Sequence, residues 1–556
     1  MEITQKSKLR LLPFGGLGEI GLNMMVMAWG KDAFIVDCGL MFPDDSMPGV
    51  DFVIPDLDWL LEFEWNILGV VITHAHEDHI GALPFVLKKI STPVYATALT
   101  MGFIEHKLQE YELLDNTVRR VVDPEEPIVL GPFKIDCLRM CHSVPDAIGL
   151  AIETPLGIII HTGDFKIDPA PVDGRMCDVE KIAFLGHKGV LALLSDSTNV
   201  ENRGVTRSES IIRPAFEQIF KTSTGRILIA TFSSNIHRIQ QALLLSHLFG
   251  RKVALVGRSM VSNVKIASEL GYLAIPPNTV VDIKEIYDIP DEQLTILSTG
   301  SQGEPMSALA LMASSRHKYL KIKQGDTIIF SSRFIPGNEK AINQLINGFC
   351  RLGAEVMYEK VADVHVSGHA GEKELRSLLN LAKPQNFIPI HGEFRHLQRH
   401  ARIAVEEGVA PERVMVVQNG DLVQVSKEGL ELEAVFDIGR VFVHGKGVGD
   451  IGHDVLRERR TLSEVGIVIA TLVVSEETGI LLKEPQLYSR GVTFQDVETE
   501  LLDGAKRAVM ERLADLCPQT EDDWEKFRDE TRLAVRRHVN RILGRKPLVH
   551  TILITV

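Results

Sequence analysis

Along the first 200 residues the apolar positions come in short runs cut by turn residues, a pattern that predicts strands more than helices. Residues 9–13, 23–29 and 33–37 read as strands, and the unbroken apolar run 69–73 reads as a buried one. A helix is expected over 80–89, with further strands at 92–96, 133–139, 157–161 and 190–195. Near residue 208 the pattern changes. Helical periods (209–221, 236–249) now alternate with strands (226–230, 253–256), and a further strand-like run lies at 327–331. Such alternation predicts a parallel-sheet α/β unit. Signals like those of the first part return near 354 and run to about 425. The expected organisation is one domain split by another: residues 1–207 and 354–426 form the first, 208–353 an insertion, 427–446 a linker and 447–556 a small α+β domain. In that last part the Gly-rich stretch 445–450 reads as flexible. Strands are expected at 466–474 and 479–484, amphipathic helices at 497–517 and 522–543, and a terminal strand at 548–556.

Composition changes this picture little. With 45% hydrophobic and 24% charged residues, the 556-residue chain is an ordinary globular one, long enough to bury large cores. The run 6–12 is basic and apolar, but the turn-forming Pro13-Phe14-Gly15-Gly16 follows at once, so no secretory signal is read there. No apolar stretch is long enough to span a bilayer, and no membrane partner is expected. The six cysteines are scattered and form no CxxC pair, which predicts a reducing, cytoplasmic setting and no cysteine zinc site. A net charge of −14 weighs against a non-specific nucleic-acid coat. It leaves a nuclease open, because bound metal ions reverse the sign of the field inside a cleft. Aromatics are only 6%, so any base stacking rests on few side chains.

The sharpest local signal is Thr73-His74-Ala75-His76-Glu77-Asp78-His79, directly after the apolar run. Imidazole and carboxylate are the ligands zinc takes in catalytic sites. On a tight turn residues two apart can point at a common centre, which a regular helix forbids. The pattern HxHxDH resembles the signature of the metallo-β-lactamase superfamily, and the resemblance covers the first part of the chain and the part after the insertion. It implies further ligands at later strand ends, where His142, Asp164 and His391 stand in the family's order. By this resemblance His74, His76 and His142 hold one metal ion, Asp78, His79 and His391 the other, and Asp164 bridges them. Asp37 matches an outer carboxylate that orients a ligand, and His161 is read as structural. The implied cofactor is two Zn2+ per subunit, with Mn2+ or Mg2+ as substitutes. Two such ions roughly 3.5–4 Å apart suit in-line displacement at a phosphodiester, with Asp78 among the residues counted as catalytic.

Fold alone does not choose among lactonases, thioesterases, glyoxalases and nucleases. The insertion points to the β-CASP group of nucleases, whose added motifs are similar to Leu194-Ser195-Asp196 and His365-Val366-Ser367-Gly368-His369-Ala370. Asp196 would orient a metal ligand or the nucleophile. His369 would act as general acid or as donor to the scissile phosphate. Within this group the chain resembles the bacterial ribonuclease J family over nearly its whole length, through segments 13–21, 299–305, 335–339 and 445–450.

The fold class expected is therefore a metallo-β-lactamase αββα sandwich split by an inserted β-CASP α/β domain, plus a small C-terminal α+β domain. The resemblance implies 5′→3′ exonuclease and endonuclease action on RNA, a preference for 5′-monophosphate ends, and a role in RNA maturation and decay. It also implies a homodimer or homotetramer through the C-terminal domain, and RNA-degradation complex proteins as partners. Ser331, Ser332, Arg333, His365, Ser367, Gly368, His369 and Ala370 are candidates near RNA phosphates, although Arg333 equally fits a surface salt bridge. A DNA-cutting β-CASP nuclease, a small-ester hydrolase and a scaffolding subunit are the rival readings. The GxGxxG at 16–21 precedes a strand rather than a helix, which rules out a dinucleotide fingerprint. The basic run 536–546 fits a solvated face, an oligomer contact or an RNA contact.

Overall fold

A computed structural model describes residues 8–44, 46–304, 306–334, 338–445, 447–493, 495–518 and 520–556. Residues 6 and 7, Pro305, the stretch 335–337 and Lys446, all parts of segments quoted above, lie outside the described residues. The chain divides into two units, 1–42 with 52–441, and 43–51 with 442–556.

The larger unit is built on two facing sheets. One has eight strands in the order Leu430–Val435, Asp421–Val425, Leu9–Gly15, Met24–Trp29, Asp32–Val36, Asn66–Val71, Val94–Ala96 and Arg119–Val121. The other has six: Asn386–Ile390, Val190–Asp196, Ile158–His161, Ile148–Glu153, Phe133–Arg139 and Ile128–Leu130. Leu11, Phe34 and Val71 from the first meet Phe133, Leu150, Ile159, Leu194 and Ile388 from the second in one dry layer. Strands buried on both faces are mostly apolar, and Val190–Asp196 and Asn386–Ile390 are buried at every position, with Ser195, Asp196 and Asn386 the polar exceptions at their ends. Helices Val179–Lys188, Glu372–Ala382 and Phe394–Glu406 cover the outer face of the six-stranded sheet. This is an αββα sandwich.

The insertion runs past its expected end at 353 and forms its own sheet, in the order Val280–Val281, Lys252–Val256, Leu294–Ser298, Ile227–Ala230, Thr327–Phe330 and Glu355–Met357, every pair parallel. Arg238, on the helix Ile236–Leu248, is fully buried inside this unit. Its Nε and Nη2 donate to Glu209 at 2.6 and 2.9 Å, and its Nη1 donates to the carbonyls of Ser331 and Val364 at 3.0 Å each and to Ser331 Oγ. One guanidinium thus ties the end of Thr327–Phe330 to the segment entering His365.

The smaller unit has three strands in the order Gln486–Arg490, Ile467–Val474 and Leu548–Thr555. Val468, Ala470, Leu472 and Val474 are buried on alternate positions and pack with Val509, Val535 and Val539 of the helices Gln495–Leu513 and Glu521–Leu543. Thr520 caps the second helix, accepting from the amide of Asp523, and Gly544 at φ 65° ends it.

The structure departs from the sequence reading at several places. The expected helix over 80–89 is two, Glu77–Ile80 and Leu83–Lys89, because the turn must aim the His/Asp motif before the helix proper begins. Residues 479–484 form only an isolated bridge, Val474 with Leu481, and the second strand lies at Gln486–Arg490. A helix, His453–Val465, stands where none was expected. The stretch 427–446 contains the strands Leu430–Val435 and Arg440–His444, the first paired antiparallel with Asp421–Val425. Among the described residues no helix is long and apolar enough to cross a membrane.

Candidate metal centre

The six sequence-predicted ligands and the candidate bridge converge at the ends of strands on one edge of the sandwich. Asn66–Val71 delivers the turn holding His74, His76, Asp78 and His79. Phe133–Arg139 leads to His142, Ile158–His161 to Asp164, and Asn386–Ile390 to His391. His391 and Asp37 both carry positive φ (51° and 61°), a costly conformation for residues with a Cβ, found where the surrounding structure over-determines it.

Two groups of donor atoms result, each within 4.8 Å internally: His74, His76, His142 and Asp164, and Asp78, His79 and His391. In the first, His74 Nε2 stands 3.0 Å from His76 Nδ1, which stands 3.2 Å from His142 Nε2. In the second, His79 Nε2 and His391 Nε2 are 3.4 Å apart. Asp164 belongs to both, with Oδ2 at 3.5 Å from His74 Nε2 and 3.3 Å from His79 Nε2, and Oδ1 at 3.3 Å from His391 Nε2. Asp164 is 2% exposed, yet Oδ1 accepts no hydrogen bond. A buried carboxylate oxygen short of donors is expensive, and so are the ring nitrogens of His74, His76 and His142 crowded lone pair to lone pair. A cation among them resolves both costs, so this donor set fits a metal.

Each imidazole is held from behind, which fixes the tautomer that faces inward. His79 Nδ1 donates to Asp37 Oδ2 at 2.8 Å, and Asp37 also accepts from the amide and hydroxyl of Thr73 at 2.7 and 2.8 Å. His74 Nδ1 donates to Thr73 Oγ1 at 3.1 Å, His142 Nδ1 to the Gly368 carbonyl at 2.9 Å, and His391 Nδ1 to Thr198 Oγ1 at 3.2 Å. His76 is reversed: its Nε2 lies 3.3 Å from Ser143 Oγ, and Nδ1 turns inward.

The electrostatics divide the histidines. Burial pulls His74 and His142 well below the usual imidazole range and His76 down to about 4, so these stay neutral, the form in which imidazole can bind a metal. Burial also acts on His79 and His391, but the carboxylates outweigh it. Asp164, Asp78 and Asp37 hold His79 well above its usual value, and Asp164 foremost lifts His391 to about 10. Burial would raise Asp164, yet His391, His79 and His74 hold it well below the carboxylate range.

Asp196 and His369 meet beside this cluster: His369 Nδ1 lies 2.8 Å from Asp196 Oδ2 and 3.9 Å from Asp164 Oδ2. Asp196 is buried, held low by His369 against its own burial, whereas His369 is partly open to solvent. Of the other candidates, Ser367 Oγ accepts from the amide of His369 at 3.1 Å. Ala370 and both serines 331 and 332 are buried; Ser331 Oγ donates to the Val364 carbonyl at 2.6 Å, and Ser332 Oγ accepts from Gln302 at 3.3 Å. Arg333 is exposed and donates to Asn199 Oδ1 at 2.8 Å. His365 has both ring nitrogens buried; burial and then Arg238 and Arg333 hold it neutral. His161 accepts from the amide of Gly163 at 3.1 Å and faces the same cavity as His79 and His391.

Gly368 sits where a side chain has no room. A Cβ there would lie 2.7 Å from Cε1 and 2.8 Å from Nδ1 of His142, a ring already pinned on both sides. Gly368→Ala is therefore expected to lower metal affinity and kcat together by about 10–100-fold, the cost of disturbing a ligand's outer partner. Zinc content after dialysis and steady-state rates check this.

Sequence reasoning missed the outer partners Thr73, Ser143 and Thr198, and Asn23 altogether. Thr73 and Thr198 flank motif residues and were findable by position; Asn23 opens a strand and carries no local signal.

Known proteins align with this arrangement segment by segment. Family models match residues 18–173 (metallo-beta-lactamase superfamily), 224–349 (ribonuclease J, beta-CASP domain), 353–417 (Zn-dependent metallo-hydrolase RNA specificity domain) and 454–556 (ribonuclease J C-terminal domain). Ribonuclease J of Thermus thermophilus is 39% identical over 553 residues, covering 98% of this chain and 95% of its own length. The chain belongs to the ribonuclease J family. Ribonuclease J2 of Bacillus subtilis is 35% identical over 556 residues, covering both chains fully. A solved Enterococcus faecalis protein of unknown function shares the fold, with a TM-score of 0.51 at 15% identity, over 75% of this chain and all of its own. As a ribonuclease J family member with a buried His/Asp centre, the protein is a metal-dependent hydrolytic ribonuclease.

Proposed function

We propose that the protein is a cytoplasmic two-zinc ribonuclease that degrades RNA from the 5′ end, prefers a 5′-monophosphate, also cuts internally, and serves rRNA processing and mRNA decay. The observation that carries this reading is Asp164, a single buried carboxylate standing between two histidine clusters in a chain that matches ribonuclease J along its whole length. His74, His76 and His142 hold one ion, Asp78, His79 and His391 the other, Asp164 serves both, and Asp37 steadies His79. When bound, the metal pair supplies Lewis acidity that activates water and offsets the phosphodiester charge.

The protein's own residues do the rest. Asp196 accepts from Nδ1–H of His369 and fixes the ring with Nε2 outward; in the imidazolium form Nε2 carries the second proton, available to the departing 3′ oxygen. As the P–O3′ bond breaks, that proton passes to the oxygen and the product keeps its 5′-phosphate. The segment from His365 to Ala370 meets RNA phosphates through the partly open Ser367 and His369, with His365, Gly368 and Ala370 packed behind them. Ser331 and Ser332 back it from within, and Arg333 stands at its exposed side.

The test compares one sequence as RNA with 5′-monophosphate, 5′-triphosphate or 5′-hydroxyl ends and as 5′-monophosphate DNA. Stepwise release of 5′-mononucleotides, fastest from the monophosphate RNA, is expected. DNA cut as fast as RNA would favour the DNA-nuclease reading. A protein that retains no zinc and cuts neither would favour the scaffold.

A further inference from the structure

The Asp78–His79–His391 cluster, which Asp164 joins on one side, has a further corner. Asn23, the residue just before the strand Met24–Trp29, is 9% exposed and turns its carboxamide into the cluster. Its terminal Nδ2 lies 3.2 Å from His79 Nε2, 3.4 Å from His391 Nε2 and 3.5 Å from Asp78 Oδ2. The three ligand atoms are themselves 3.4, 3.5 and 3.7 Å apart. All six edges of the figure formed by these four atoms thus fall between 3.2 and 3.7 Å. Zinc–ligand bonds near 2.1 Å in a tetrahedron require donor atoms about 3.4 Å apart. The four atoms are spaced as donors around one cation, and Asp164, 3.3 Å from each of the two ring nitrogens, makes a fifth.

We infer that Asn23 is a further ligand of the second metal ion, its carboxamide oxygen taking this corner once the cation is bound. The inference rests on the two-metal reading above. An amide can present either end at nearly the same place, and what it faces decides which. Facing ligand atoms alone, the NH2 end turns inward and donates to the Asp78 carbonyl at 3.1 Å. A cation selects the oxygen. After the turn the Asp78 carbonyl keeps a donor, the backbone amide of Asn23 at 3.1 Å. The outer end of the amide lies against Gly16, where a Cβ would come within 2.3 Å of Asn23 Oδ1, so only a glycine leaves the carboxamide room. Asn23 is further fixed by its own carbonyl, which accepts from the Gly39 amide at 2.9 Å.

The experiment uses metal-free full-length protein titrated with Zn2+ against a chromophoric chelator, and with Co2+ for its visible absorption. Asn23→Ala is expected to weaken one of two zinc sites by about 10–100-fold, leave the other unchanged, and alter the Co2+ spectrum of the weakened site. Asn23→Asp, which keeps an oxygen at the corner, should restore affinity to at least the parent level. Unchanged affinity at both sites in Asn23→Ala would overturn the inference, as would Asn23→Asp binding no better than Asn23→Ala. If the parent protein itself holds fewer than two ions, the two-metal reading fails instead.

Discussion

Replacing Asp164 by alanine should abolish RNA hydrolysis, lowering kcat by at least ~10^3-fold, because it removes a charged group on which both halves of the centre depend. Among the described residues it is the carboxylate common to both clusters, within 3.7 Å of His74, His79, His142 and His391. Without it the first cluster is three buried neutral imidazoles with no anion to balance a dication. His79 and His391 also lose the largest field that keeps them cationic in the metal-free site. Metal content should fall below two ions per chain, and Asp164→Asn, which keeps shape and removes charge, should behave alike. An alanine variant that retains both ions and the parent rate would sink the bridging role.

Removing the His369 imidazole should give a different result. His369→Ala is expected to lower kcat by about 10^2–10^4-fold, the usual weight of one general acid, while both metal ions stay bound. Its partner Asp196 lies behind it at 2.8 Å, and groups acting as a unit are not additive. The double variant lacking both side chains should therefore be no slower than His369→Ala. A double variant slower by the product of the two single effects would mean that Asp196 acts on something other than His369.

How much of this is legible in the sequence depends on how local the determinant is. His74 to His79 lie within one turn, and their spacing alone predicts a shared centre. His142, Asp164 and His391 are far apart in the chain but each follows an apolar run, so strand ends mark them. Asn23 has neither signal: it meets Asp78 through the way the loop 16–22 folds back. Leu17–Gly18 in that loop pairs with Gly392–Glu393, a contact between distant parts of the chain that no periodicity records. The same limit applies to the fold. The parallel unit is legible because helices and strands alternate with distinct periods. The strand at Gln486–Arg490 is misplaced by pattern alone because Ile480, Leu481 and Leu482 form the more apolar run, although Ile480 and Leu482 are exposed. The helix His453–Val465 escapes the pattern because it buries one apolar side chain, Leu456, fully, too few to set a period.

Asp164 and His391 stand on opposite sides of the insertion, and the strand carrying Asp196 pairs in parallel with the strand leading to His391, Ala192 opposite Asn386. The centre is therefore closed by a contact between segments on either side of a whole inserted domain, among the slowest kinds of contact for a chain to find. During synthesis this has a definite consequence. A ribosome that has translated the His74–His79 turn, His142 and Asp164 carries a chain that still lacks His369 and His391. Until the last of these has emerged, that chain cannot complete its own centre. Assembly of the centre is thus placed after synthesis of the whole insertion and before that of the last unit of the chain.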